Sequence, residues 1–159
     1  MTIVASPELV EWWTTPAGED LINAVSALSW TPADSLSSTA QLRRHYPDLT
    51  PEILNGTIDL VQARQRAVEK LGPASAHWFL TLAAVQQATP YAVTHYRSRR
   101  LLSSDSTIAQ PIHDATCSVG TEVAALVQAG STGELSGSDI DQARLALSLI
   151  HISEPTRPL

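Results

Sequence analysis

The sequence predicts a mainly α-helical N-terminal domain, followed by the first βαβ(α) unit of an incomplete α/β domain. Three observations carry this prediction. Hydroxyl–proline pairs recur from Ser6 to Pro90, and each is a helix-start signal. Ile108–Asp141 reads as strand, tight turn, helix, strand and the start of a second helix. The all-polar run Ser103–Thr107 separates the two parts. The domains are therefore placed at 1–102 and 108–147, with 103–107 as linker.

The pairs are Ser6–Pro7, Thr15–Pro16, Thr31–Pro32, Thr50–Pro51 and Thr89–Pro90. Proline at the first helical position loses no hydrogen bond, because that amide has no intrahelical partner. The preceding hydroxyl accepts from a free amide of the first turn. Helices are predicted over Pro7–Trp13 and over Pro16–Leu28, the latter with Leu21, Ile22, Val25 and Leu28 at helical spacing. A short turn at Pro32–Leu36 and a helix at Thr39–Tyr46 follow. Trp12 and Trp13 are adjacent, so both cannot face one core.

The longest helix is predicted at Pro51–Leu71, closed by Gly72–Pro73. Its apolar stripe is Leu54, Ile58, Val61, Val68 and Leu71, with Arg64, Arg66, Glu69 and Lys70 facing away or at the flank. Gly56 inside it costs about 1 kcal/mol against alanine, and so marks a kink or a close helix contact. Short helices near Ala74–Leu80 and Leu82–Ala88 precede a last one, Pro90–Leu102. That helix ends in His95-Tyr96-Arg97-Ser98-Arg99-Arg100. Arg97, Arg99 and Arg100 are candidate phosphate contacts beside a tyrosine that can stack a base; equally, cations favour a helix C-terminus.

Composition excludes several classes. Apolar content of 43% suits a globular chain, and no apolar run is long enough for a membrane span. The N-terminus lacks the basic and apolar regions of a signal peptide. A single cysteine, Cys117, rules out an internal disulfide and fits a reducing cytoplasm. His45, His77, His95, His113 and His151 are too widely spaced for a paired metal motif, so no metal is expected. The net charge of −6 hides a basic middle: Arg43–Arg100 holds eight bases against four acids. Such a segment is compatible with an anionic partner or with solvated helix faces.

The chemistry concentrates after Ile108. The predicted strand Ile108–His113 ends at Asp114, and Ala115-Thr116-Cys117-Ser118-Val119-Gly120 forms a turn of small residues before a helix opened by Thr121-Glu122. A second strand, Leu135–Ser138, ends at Asp139. A small-residue turn at the carboxyl end of a strand lets backbone amides approach a ligand, and an acid roughly 20–25 positions on suits a ribose hydroxyl. Asp141 is placed to cap the helix after it, Cys117 reads as a small turn residue rather than a nucleophile, and His113 as packing in the strand.

Asp114-Ala-Thr-Cys-Ser-Val-Gly120 resembles the first motif, D-x-G-x-G-x-G, of class I S-adenosylmethionine-dependent methyltransferases. Thr116 and Ser118 stand where that pattern has its first two glycines, and Gly120 keeps the third. Gly137-Ser-Asp139-Ile-Asp141 is similar to the acidic end of the family's second strand. The helical prefix, through Ser6-Pro-Glu-Leu-Val, Gln86-Gln-Ala-Thr89 and the basic helix, resembles actinobacterial methyltransferases with a THUMP-like domain. The resemblance implies a Rossmann-like domain that binds S-adenosyl-L-methionine through Asp114, Thr116, Cys117, Ser118, Gly120, Glu122 and Asp139. It also implies an RNA acceptor and catalytic residues beyond Leu147.

The tail from Ser148 resembles translated sequencing-adaptor read-through, which implies a natural frame continuing past Leu147 and an inactive fragment here. Two strands with one crossover cover neither sheet face well, so weak or no cofactor binding is expected. Two other readings are a non-enzymatic helical interaction module with an incidental βα tail, and a dinucleotide-binding protein, which the missing glycines disfavour.

Overall fold

A computed structural model of the chain describes residues 6–103, 105–142, 144, 145 and 147. The tail from Ser148 lies outside the described residues. The helices are α1 (Pro7–Trp13), α2 (Pro16–Ser26), α3 (Ser35–His45), α4 (Pro51–Leu71), α5 (Leu82–Gln87), α6 (Tyr91–Leu101), α7 (Asp105–Ile108) and α8 (Thr121–Gln128), with a 3-10 turn at Pro73–His77. Strands β1 (Ile112–Asp114) and β2 (Leu135–Gly137) pair in parallel, in the register Ile112 to Leu135, His113 to Ser136 and Asp114 to Gly137. Among the described residues, no helix is long and apolar enough to cross a membrane.

The hydroxyl–proline device caps an α-helix at three of its five positions. The side chains of Ser6, Thr15 and Thr50 accept from the amides of Leu9, Gly18 and Ile53. Thr31 caps a turn rather than a helix: its hydroxyl accepts from the Asp34 amide at 3.3 Å and donates to Asp34 Oδ2 at 2.6 Å, and that of Ser29 donates to the same oxygen at 2.7 Å. After that turn α3 starts at Ser35, earlier than the helix expected at Thr39–Tyr46. Before α6, Pro90 itself is the cap residue, and no side chain caps that end.

α4 is the central element, packed against α1, α2, α5 and the 3-10 turn. Its buried face is Leu54, Gly56, Thr57, Leu60, Val61, Ala63, Ala67 and Leu71. The expected stripe is thus corrected: Val68 is 39% exposed, while Thr57, Leu60 and two alanines point inward. Gly56 is a close contact. A Cβ there would meet Leu9 Cδ2 at 2.5 Å, so the missing side chain lets α1 lie on α4. Of the tryptophan pair, Trp13 is fully buried and Trp12 sits at the core edge. The Trp13 indole N–H donates to Thr57 Oγ1 at 2.9 Å, and its ring stacks on Phe79 with centroids 6.0 Å apart.

Three polar side chains of α4 turn toward the neighbouring short helices rather than away. Asp59 Oδ2 accepts from the Leu82 amide at 3.1 Å, at the start of α5. Arg64 donates from Nε to Trp78 O at 2.8 Å and from Nη2 to His77 O at 3.0 Å, and lies 5.3 Å over the Phe79 ring. Burial pushes its guanidinium down to about 10. Lys70 Nζ donates to Val85 O and Gln86 O at the end of α5. The ends of short helices carry amides and carbonyls without intrahelical partners, and α4 supplies those partners.

The second half departs from expectation at its start. A helical turn, α7, starts in the expected joint and ends at Ile108, where the strand was expected to begin, and β1 begins only at Ile112. Pro111 explains the delay: it has no N–H to give a ladder, so the first strand bond comes from Ile112 N to Glu134 O at 2.9 Å. The carbonyl of Ile108 takes the amides of Thr132 and Gly133 instead. Nor is this half left unsupported. α8 packs along α6, and Val119 and Leu147 belong to the same buried core as Leu9, Trp13 and Leu60.

Candidate functional site

The carboxyl ends of β1 and β2 converge on the turn at residues 115–120. Two ladder-like bonds extend the strand pairing past Asp114: Ser138 N donates to Asp114 O at 2.8 Å, and Cys117 N to Ser138 O at 3.0 Å. These bonds fold the turn back over the end of β2. Cys117 is buried, and Gly137 makes room for it, since a Cβ on Gly137 would lie 2.8 Å from Cys117 Cβ and 2.9 Å from its Sγ. Cys117 is therefore a packing residue of the turn. A glycine inside a strand signals close approach of another segment, and that was the readable trace of this contact.

Both expected acids address the turn. Asp114 Oδ1 accepts from the Thr116 amide at 3.0 Å, a local turn bond. Asp139 Oδ2 accepts from the Ser118 amide at 2.9 Å, and its Oδ1 from the Asp141 amide at 2.8 Å. Ser118 adopts a left-handed φ of 47°, and Gly120, at φ 77°, leads into α8. Such a backbone is costly for serine, and the carboxylate of Asp139 holds it in place. Asp139 thus has a structural duty in the turn beside the ribose contact expected of it. An ionised carboxylate has about four lone-pair positions, so two amides leave capacity for further donors.

The surroundings suit a polar ligand at this edge. Among the described residues, no hydrogen bond engages the amides of Ala115 or Val119. Ser118 Oγ is buried and has no hydrogen-bond partner. The Ala115, Thr116 and Ser118 side chains are small. His113, missed as a polar anchor, bridges the strands on the exposed face, with Nδ1 3.0 Å from Ser136 Oγ and Nε2 3.0 Å from Ser138 Oγ. No group of three or more metal-ligating side chains occurs among the described residues.

Two expected contact residues meet each other. Arg97 Nη1 lies 2.8 Å from Glu122 Oε1, joining α6 to the first turn of α8. Arg99 and Arg100 are exposed and form no ion pair among the described residues. Asp141 performs the capping role expected of it, accepting from the Arg144 amide at 3.2 Å and lying 3.3 Å from the Arg144 guanidinium.

Comparison with known proteins adds two findings. Residues 6–67 match a family model described as a domain of unknown function (DUF8688). The chain is also 38% identical, over 112 residues, to proteins from two strains of Mycobacterium tuberculosis, each named an uncharacterized S-adenosylmethionine-dependent methyltransferase. The aligned stretch takes in 67% of this chain and 28% of theirs, so the chain spans about a quarter of the length of these relatives. No solved structure matches.

Proposed function

We propose that this chain carries the opening of an S-adenosyl-L-methionine site from a methyltransferase with a Rossmann-like cofactor domain, behind a helical domain of the THUMP-like type. The observation that carries the reading is the parallel pair of strands whose terminal acids, Asp114 and Asp139, both bind the amides of the one turn between them. The similarity to the two named methyltransferases supports it. In open α/β sheets, ligands bind outside the carboxyl ends of the strands, which is where this turn sits.

The residues present fit the cofactor. The unengaged amides of Ala115 and Val119 and the orphaned Ser118 hydroxyl face no competing partner, and Asp139 retains lone pairs for ribose hydroxyls. Asp114, Thr116 and Cys117 shape the turn, and Gly120 starts α8. Glu122 acts at one remove, by fixing α8 to α6 through Arg97. When bound, the cofactor supplies an activated methyl group, and alignment of an acceptor is the protein's main task. RNA is the acceptor class proposed, with α6 as its contact, and this chain alone is expected to bind weakly and not turn over.

A nuclear magnetic resonance titration with S-adenosyl-L-methionine tests the site. Shifts confined to residues 114–120 and 139, and lost in Asp139→Ala, are the expected result. Absence of shifts at roughly millimolar ligand, the weakest affinity worth calling binding here, sinks the proposal.

A further inference from the structure

We propose that Tyr96, Arg99 and Arg100 form a platform for single-stranded nucleic acid, with an unpaired base stacked on Tyr96 and the two guanidiniums on adjoining phosphates. The proposal rests on the acceptor class given above and adds to it that the strand is unpaired and is held at three named side chains. Tyr96 is 63% exposed and makes no ring contact among the described residues. Arg99 and Arg100 lie three and four positions on, so all three share one face of α6. Val93, three positions before Tyr96 and 39% exposed, extends the apolar strip along that face.

Charge separates these arginines from the third. Arg97 is paired with Glu122 at 2.8 Å, whereas Arg99 and Arg100 have no ion-pair partner among the described residues, on a chain of net −6. Stabilisation of the α6 C-terminus accounts for cations there. It gives no reason for an uncovered aromatic ring among them. A ring flanked by two cations matches the alternation of base and phosphate in a single strand, where stacking tolerates any base. One helix face with a protruding tyrosine offers no grip on bases already stacked in a duplex, which is bound through shape and backbone instead.

The test is fluorescence anisotropy with a fluorescein-labelled octauridylate, its DNA counterpart and an RNA duplex of equal length, read against this chain. The single strands are expected to bind and the duplex to bind at least about tenfold more weakly. Tyr96→Ala should weaken strand binding about tenfold, with Tyr96→Phe close to the parent. Changing both Arg99 and Arg100 to Gln should lower the salt slope of log affinity by about 1.4, while Arg97→Gln leaves it unchanged. Tyr96, Arg99 and Arg100 are exposed and hold no ion pair among the described residues, so melting curves of their variants should stay superimposable on the parent's, and a variant that fails to fold is recognised there. Equal binding of Tyr96→Ala and parent, preference for the duplex, or no binding to any oligonucleotide overturns the platform. A stronger grip on RNA than on DNA identifies the source of the strand. The cofactor titration at Asp139 is independent of α6, so either proposal can fail alone.

Discussion

Asp139 reaches back 21 residues to accept the amide of Ser118, which sits at a φ of 47°. One carboxylate therefore joins the end of β2 to the turn after β1 and stabilises a backbone that serine adopts reluctantly. Removing it frees that amide and the amide of Asp141 together. Asp139→Ala should cost about 1–3 kcal/mol, as expected for lost hydrogen bonds to a charged group at a half-buried position. Amide hydrogen exchange at Ser118 and Asp141 should accelerate, with α4 unaffected. Asp139→Asn keeps one acceptor and should lose less. Unchanged exchange at Ser118 in the alanine variant would refute the anchoring role.

Gly137 is the complementary test of the same corner. A methyl group there would lie 2.8 Å from Cys117 Cβ and 2.9 Å from its Sγ. Cys117 is tied by its amide to Ser138 O and has little room to retreat. Gly137→Ala should destabilise by about 1–3 kcal/mol, the usual cost of overpacking. Adding Cys117→Ala should restore only part, because the nearer contact is with Cβ. Chemical denaturation of the single and double variants measures both effects.

Legibility in the sequence followed the range of the physics. Pro51–Leu71 and Pro7–Trp13 were readable to the residue, because local capping and proline geometry decide where they begin. The order strand, turn, helix, strand was readable too, from Asp114, the small turn residues and Asp139. What escaped depends on distant neighbours. Arg64 and Lys70 look like solvent-facing cations until the carbonyls of residues 77, 78, 85 and 86 arrive beside them. Glu122 and Arg97 each suited a ligand by residue type, and only the packing of α8 on α6 makes them partners. Val68 fitted the helical period, but the buried sector is set by where α1, α2 and α5 lie.

Thr57 illustrates that dependence and yields a sharp prediction. Its hydroxyl accepts from the buried Trp13 indole at 2.9 Å and donates to Ile53 O at 2.8 Å. Thr57→Val keeps the shape but leaves the indole N–H without a partner in the core. The expected loss is about 1–3 kcal/mol, the desolvation cost of an unsatisfied buried donor. Thr57→Ser keeps the hydroxyl and should stay within about 1.5 kcal/mol of the parent, the cost of a missing methyl. Urea denaturation followed by tryptophan fluorescence distinguishes the two, and equal stability of Thr57→Val and the parent would remove this bond from the account of the core.

Asp59 gives the pH dependence its sign. Burial pushes its carboxyl above the ordinary 3.8, against the smaller opposing pulls of the Leu82 amide and Arg66. The folded chain then holds this proton more tightly than the unfolded chain does. Stability from this group is therefore greatest when it is protonated, and falls as pH rises through the window just above 3.8. Asp59→Asn cannot ionise, yet its side-chain carbonyl still accepts the amide that opens α5. Thermal melts between about pH 4 and pH 6 should show the parent losing stability relative to this variant as pH rises. Asp59→Ala removes the acceptor as well and should melt earlier than Asp59→Asn at every pH. A parent–asparagine difference that stays flat across the window, or grows in the opposite direction, would show that the carboxyl is not held up by burial under α5.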